Sequence, residues 1–271
     1  MKVGRRSTRK TQLRGHLQER GNKKSFCTLQ LWHGPASEEE KNNFKGGYVT
    51  SDGHHMDCSH VLPSNVVFII DRSGSMCDDD VTPHFVQFQE THSNRLGCVF
   101  EPVLRFIRTR LTMSLSQGAD LASVVLFNHE DSALTVVELE AMDENIVNKL
   151  LVYRPNGGTN FSTGLTQAER ILLKSKLDCD ERHPLVIFLS DGENEHGSDN
   201  EALDIIQCMR LEYGKHLQIF TVKLGNENEK ILERMADEEK SFTTADRLIL
   251  SETFISMVKS LKPLTGTCGE P

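Results

Sequence analysis

Five consecutive apolar residues, Val66-Val67-Phe68-Ile69-Ile70, follow Pro63 and end at an acid, Asp71. A strand with one wet face alternates polar and apolar side chains, so an uninterrupted and mostly β-branched run this short predicts a strand covered on both faces. Residues 121–127, 185–189 and 219–222 repeat the pattern, and residues 133–139 read as a more exposed edge strand. Between these runs the apolar residues fall at helical spacing. One such set is Phe100, Val103, Leu104, Ile107 and Leu111, with Arg105, Arg108 and Arg110 able to reach water. A second is Phe161, Leu165, Ala168 and Leu172, just after Thr159. A third, Ala202, Ile205, Ile206 and Met209, stands behind a predicted capping box of Ser198 and Glu201. A fourth, Leu250, Phe254, Met257, Val258 and Leu261, is stopped by Pro263. Buried strands alternating with amphipathic helices predict an α/β fold, doubly wound, with a mostly parallel central sheet and helices on both faces. Such a sheet binds ligands in the crevice beyond the carboxyl ends of its strands, where its connections diverge.

Charge divides the chain. Nine of its 31 basic residues but one of its 39 acids lie in residues 1–24, so the remainder, with 22 basic and 38 acidic residues, is net −16. The basic segment has no apolar stretch to serve as a signal-peptide core, and no apolar run reaches the 18 or so residues that a bilayer span needs. It reads as a solvated, disordered leader, with nucleic-acid contact or nuclear import through Arg5, Arg6, Arg9 and Lys10, or an organelle transit peptide, as alternatives. Seven cysteines, an odd number without tight spacing, argue against a disulfide framework. A cytoplasmic protein is expected, nuclear as an alternative and not secreted. The expected organisation is a leader at 1–24, an irregular extension at 25–63, a domain at 64–262 and a tail at 263–271.

Chemistry-bearing residues gather where the sheet predicts a crevice. Asp71-Arg72-Ser73-Gly74-Ser75 leaves the first strand directly, and Asp191-Gly192 follows one residue after the run 185–189. Between them in sequence, Gly157-Gly158-Thr159 delivers a hydroxyl just ahead of a helix. Two Asp, two Ser and one Thr make an all-oxygen donor set, which favours a hard cation such as Mg²⁺, Mn²⁺ or Ca²⁺ over zinc or copper. With only two protein charges facing it, such an ion stays electrophilic, and an open coordination position on it attracts an external carboxylate.

The Asp-x-Ser-x-Ser loop, the later Gly-Gly-Thr loop and the Asp-Gly after a central strand resemble the metal-ion-dependent adhesion site of von Willebrand factor type A (VWA) domains. The resemblance spans residues 64–262 and implies the Rossmann-like VWA fold. It implies that Ser73, Ser75 and Thr159 ligate the metal through hydroxyls, and that Asp71 and Asp191 do so directly or through water. The sixth ligand is then an Asp or Glu of a protein partner, or water when unbound. Function by this likeness is metal-dependent protein binding in an intracellular setting, without catalysis.

Two departures from the family pattern stand out. Residues 77–98 form an insertion between the metal loop and the first helix, carrying Asp78-Asp79-Asp80, Pro83, His84 and His92. The triple Asp, with Glu193, Glu195 and Asp199 near the other loop, would repel an acidic ligand unless screened or neutralised, and solvated loops are the expectation, with a second cation or a partner with a basic rim as alternatives. His54, His55, Cys58 and His60, with Cys27 and His33 upstream, match no zinc-finger spacing and read as a polar linker, with zinc as the alternative. Catalysis has less to stand on. A phosphotransferase of the haloacid dehalogenase kind wants an acid where Ser73 stands, and no phosphate-cradling G-x-x-x-x-G-K-[ST] loop, G-x-S-x-G elbow or His-Glu-x-x-His helix occurs. Metal-assisted hydrolysis, with His196 or Glu193 near Asp191, is the rival reading.

Overall fold

Strand β1 (Ser64–Asp71) runs through the centre of the protein, and all eight of its residues are buried in the computed structural model. The structure describes residues 63–113, 120–178, 182–191, 194–224, 230–238 and 240–244, residues 252 and 254, and short strands within 19–60 and 264–265. Five further strands complete the sheet: β2 (Leu121–Phe127), β3 (Leu134–Ala141), β4 (His183–Ser190), β5 (Gln218–Leu224) and β6 (Ser241–Thr244). Their spatial order is β6-β5-β4-β1-β2-β3. Every pairing is parallel except β2 with β3, which is antiparallel and puts β3 at the edge. The doubly wound, mostly parallel α/β architecture expected from the runs is the one observed. Sequence order reverses direction between β1 and β4, so the crevice opens at their carboxyl ends.

The side chains of β1 explain why the strand is apolar throughout. Val66, Phe68 and Ile70 pack into one cluster with the helix α1 (Arg95–Met113), through Leu96, Val99, Phe100, Val103, Leu104, Phe106 and Ile107. Val67 and Ile69 point the other way, into a cluster with α2 (Phe161–Asp178) and α3 (Asp199–Tyr213). Each such fully buried side chain contributes about 1.5–3 kcal/mol relative to exposure, set against the entropy of ordering the chain. Gly164 lets α2 sit close on this face, because a Cβ there would lie 2.8 Å from Ile69 Cγ2 and 2.9 Å from Phe127 Cδ1. A short helix α4 (Lys230–Met235) covers the same side beside β5, and Phe254 is buried in the α1 cluster.

Several expectations change in detail. The first helix begins at Arg95, five residues before the periodic pattern, because Asn94 Oδ1 accepts from the Gly97 N–H at 3.1 Å and the Asn94 carbonyl from Cys98 N at 3.1 Å. The insertion therefore ends at residue 94. Arg110 does not reach water: it is buried, and its guanidinium grips both oxygens of Asp120 at 2.8 and 2.9 Å. The third helix starts after Ser198 as expected, but Ser198 makes no side-chain capping bond. Strand β6, Ser-Phe-Thr-Thr, lacks an apolar run because it is an edge strand. Of the fourth helical set, Phe254 is described and the rest lies outside the described residues.

The insertion is organised, not a loose loop. Glu101 of α1 accepts from the backbone N–H groups of His84 and Phe85 and pairs with Arg105, whose guanidinium lies 4.8 Å from the Phe85 ring centroid. His92 is buried, donates through Nε2 to the Tyr153 carbonyl at 2.7 Å and stands edge-on to Phe100. Burial, with the Arg154 guanidinium beside it, holds the His92 pKa below its ordinary value, against the opposing bond to Tyr153.

Residues Met1–Val61 and Lys262–Pro271 make a unit separate from Leu62–Leu261. Within the segment expected to be irregular, Phe26–Cys27 and Gly47–Val49 flank His55–Asp57 in a three-stranded antiparallel sheet. Glu19–Arg20 pairs with Lys23–Lys24, and Ser59–His60 with Leu264–Thr265. The side chains of Cys27, His33, His54, His55, Cys58 and His60 lie outside the described residues.

Candidate metal centre

Asp71 is the last residue of β1, and Asp191 follows the last residue of β4, so parallel pairing of these neighbours brings both carboxylates to one rim. Asp71 is fully buried; its Oδ1 accepts from the Ser73 N–H at 2.7 Å and its Oδ2 from Ser190 Oγ at 2.6 Å. The first bond curls the chain at Ser73, so that residues 74–77 form a turn of 3₁₀ helix and Ser75 stands beside Ser73. Their Oγ atoms are 3.1 Å apart, and Ser75 Oγ donates to Asp191 Oδ1 at 2.9 Å. Ser73, Ser75 and Asp191 thus form one connected set of oxygens, to which Asp71 is tied through the Ser73 backbone N–H.

The fifth, Thr159, arrives on a loop tied to the first. Gly74 N donates to the Gly157 carbonyl at 2.7 Å, and Asn156 N to the Arg72 carbonyl at 2.8 Å. Gly157 has φ +76°, and a Cβ there would lie 2.3 Å from His129 Nδ1, so the double glycine meets both a conformational and a steric need. Thr159 itself is buried, and its carbonyl accepts from His196 N at 2.9 Å. Asn194 Oδ1 then accepts from Phe161 N at the start of α2, closing the third loop onto the second.

Burial dominates the electrostatics. It pushes the Asp71 carboxyl up to about 7, with Asp191 adding to the rise while the bonds from Ser190 and Ser73 oppose it. Burial also raises Asp191, against the opposing pull of Arg95, Ser75 and the backbone. Two desolvated carboxylates on one rim are costly unless a cation shares them. Among the described residues no group of three or more His, Cys, Asp or Glu side chains is arranged to hold a metal ion, and what Ser73, Ser75 and Asp191 offer a cation is hydroxyl and carboxylate oxygen.

Three contributors were not foreseen from the sequence. Ser190, adjacent to Asp191, fixes Asp71; His129 Nδ1 accepts from Gly158 N at 2.8 Å and supports the Thr159 loop. Arg95 places one nitrogen 2.8 Å from Asp191 Oδ2 and 3.4 Å from Asp78 and makes two bonds, at 2.9 and 2.8 Å, to Asp80. The acidic turn is exposed to water, as expected, and is also neutralised in part by an internal guanidinium. The signal available was the demand of three consecutive acids for a counter-charge, with Arg95 as the first cation after them.

A family model of the von Willebrand factor type A domain matches residues 65–256. The chain belongs to the von Willebrand factor type A domain family. Solved structures agree on the fold. A VWA protein from Catenulispora acidiphila superposes with a TM-score of 0.54 at 24% identity, over 73% of this chain and 43% of that one. Proximal thread matrix protein 1 of the mussel byssus, with a zinc-occupied adhesion motif, gives 0.54 at 23% identity over 75% and 46%. The vWF domain of a type V pili tip protein from Porphyromonas gingivalis gives 0.56 at 15% identity over 74% and 95%. The chain spans less than half the length of the first two. The VWA fold accounts for the strand order and for the antiparallel strand at the sheet's edge.

Proposed function

We propose that this VWA domain is a divalent-cation-dependent protein-binding module. In this reading Ser73, Ser75 and Thr159 hold the ion through hydroxyls, and Asp71 and Asp191 hold it directly or through water. The carrying observation is the oxygen spacing, 3.1 Å from Ser73 to Ser75 and 2.9 Å from Ser75 to Asp191. Adjacent oxygens around an octahedral ion bonded at about 2.1 Å lie about 3.0 Å apart, so the donor set suits Mg²⁺, with Mn²⁺ or Ca²⁺ as variants. The zinc in the mussel protein's motif adds that ion to those worth testing. A bound cation supplies a Lewis-acidic position that an Asp or Glu of a protein partner completes.

Binding is favoured over hydrolysis by how the carboxylates are used. Both oxygens of Asp71 and both of Asp191 accept hydrogen bonds from fixed donors, which suits holding an ion better than moving a proton. His196 is turned to Glu195 at 3.8 Å, with its ring 5.1 Å from that of His129. Among the described residues no helix is long and apolar enough to cross a membrane. Cys77 and Cys208 are free thiols, which fits action in a reducing compartment such as the cytoplasm.

The test is partner capture from a lysate by the full chain in Mg²⁺ and in chelator. Capture is expected in Mg²⁺, and at least about tenfold less in chelator or with the Ser73→Ala, Ser75→Ala double variant, whose circular dichroism stays native. Equal capture in all three refutes the proposal. A turnover assay on a generic phosphoester, with Asp191→Ala as control, addresses the hydrolytic rival.

A further inference from the structure

One side chain joins the metal loop to the acidic turn of the insertion. Arg95 opens α1, the end of a helix where the backbone dipole disfavours a cation, so its position there needs a compensating attraction. Asp80, Asp78 and Asp191 supply it. The three pairs differ in weight. Asp78 and Asp80 are 60% and 49% exposed and their charges are screened by water, whereas the Asp191 side chain is fully buried. The backbone fixes the arrangement: Asp78 N donates to the Ser75 carbonyl at 3.1 Å, and Arg95 N to the Asp78 carbonyl at 2.9 Å. The residue that offers its hydroxyl to the ion and the residue that offers a guanidinium to Asp191 are therefore held by one short turn.

Resting on the metal-binding reading above, we propose that Arg95 is a built-in competitor of the divalent ion for the Asp191 carboxylate, which lowers metal affinity and couples it to partner binding. Asp71, Asp191 and Arg95 together carry one negative charge in their ionised forms. A divalent ion turns that into one positive charge, and an incoming carboxylate cancels it. Without Arg95 the ion alone neutralises the two carboxylates, so it binds tighter and a partner's acid gains less on joining. Two cations sharing one buried carboxylate repel each other, and with Asp78, Asp80 and water screening the guanidinium the repulsion falls well below its unscreened value, to about tenfold to a hundredfold in affinity. Metal and acidic partner thereby become cooperative ligands, each favouring the other.

The experiment is a calorimetric titration of the full chain with MgCl₂ and MnCl₂, run on the wild type, R95Q, R95K and the Ser73→Ala, Ser75→Ala double variant. R95Q is expected to bind about tenfold tighter or more, and R95K, which keeps the charge, to stay within about threefold of wild type. R95Q should also gain more in melting temperature on metal addition, since in chelator its Asp191 has lost its charged partner. A nitrogen-15 arginine side-chain spectrum of the wild type reads the same competition without a substitution: the Arg95 resonances should move on metal addition. R95Q binding no tighter than wild type, or wild-type Arg95 signals unmoved by an ion that does bind, overturns the competition. In that event, wild-type uptake abolished in the double variant leaves the metal-binding reading standing. If none of the four proteins takes up either ion, both readings fall.

Discussion

Asp191→Ala is expected to weaken divalent-cation binding by on the order of a hundredfold or more, with little loss of stability in chelator. The first half follows from charge, since Asp191 is one of the two carboxylates of the proposed donor set and its Oδ1 is bonded to a hydroxyl of that set. Removing a unit charge about 4 Å from a cation, at an effective dielectric near 20, forfeits about 4 kcal/mol per unit of ionic charge before relaxation, so two orders of magnitude is a conservative figure. The second half follows from burial. Desolvation already works against the Asp191 carboxylate, and Arg95 keeps Asp78 and Asp80 as partners when it is gone. The melting temperature in chelator should therefore shift by a few degrees at most, while the rise on adding Mg²⁺ disappears. A variant that unfolds in chelator would show that Asp191 holds the fold, and one that keeps its metal-induced rise would place the ion elsewhere.

Asp120→Ala is expected to cost about 3–5 kcal/mol, the largest stability loss at a polar position, because it strands a buried guanidinium. Asp120 accepts from Arg110 through both oxygens, at 2.8 and 2.9 Å, and its Oδ1 also accepts from Ser64 N at 2.7 Å. The Arg110 and Asp120 side chains are 9% and 5% exposed, so water does not replace the lost partner. This network ties α1 to the starts of β1 and β2, at the opposite end of the strands from the metal rim. For a domain of this size the melting temperature should fall on the order of 10 °C. The paired replacement Arg110→Met, Asp120→Leu should recover most of the loss, since it removes both charges together. Thermal unfolding of the three proteins checks this, and a double variant as unstable as the single one contradicts it. Neither change touches the rim, so cation uptake by the folded fraction should be unaltered.

The fold was legible because strand burial leaves a local mark. Val66 to Ile70 has no polar residue because both of its faces meet helices, and the exposed edge strand β3 showed its mixed character for the complementary reason. Strand β6 left no such mark, since Ser241 and Thr243 look like loop residues until β5 is there to pair with them. The start of α1 was missed although Leu96 and Val99 extend its apolar face, because Gly97 interrupts the pattern and what begins the helix is Asn94. Arg110 was misjudged for a related reason: a periodic pattern marks apolar positions, not a cation whose partner lies ten residues away along the chain.

Within the candidate site, the residues that carry a motif were visible and those that hold them in place were not. Asp71, Ser73, Ser75 and Asp191 have types and positions that follow from strand ends, and Thr159 stands behind a double glycine ahead of a helix. Ser190, His129 and Arg95 act across 119, 29 and 96 residues of chain, through contacts that only folding creates. Arg95 matters most among them, because it changes the electrostatic reading of the insertion from a repulsive acidic loop to one tied to the rim by a shared guanidinium.

The most direct test of the central claim is a Mn²⁺ titration followed by electron paramagnetic resonance, in which the signal of the free aqueous ion is lost on binding. The wild-type chain should remove about one Mn²⁺ per molecule, in competition with Mg²⁺, and the Ser73→Ala, Ser75→Ala variant should remove none while remaining folded. Equal uptake by both proteins would contradict the account, because the hydroxyls at the heart of the rim would then have no part in holding an ion.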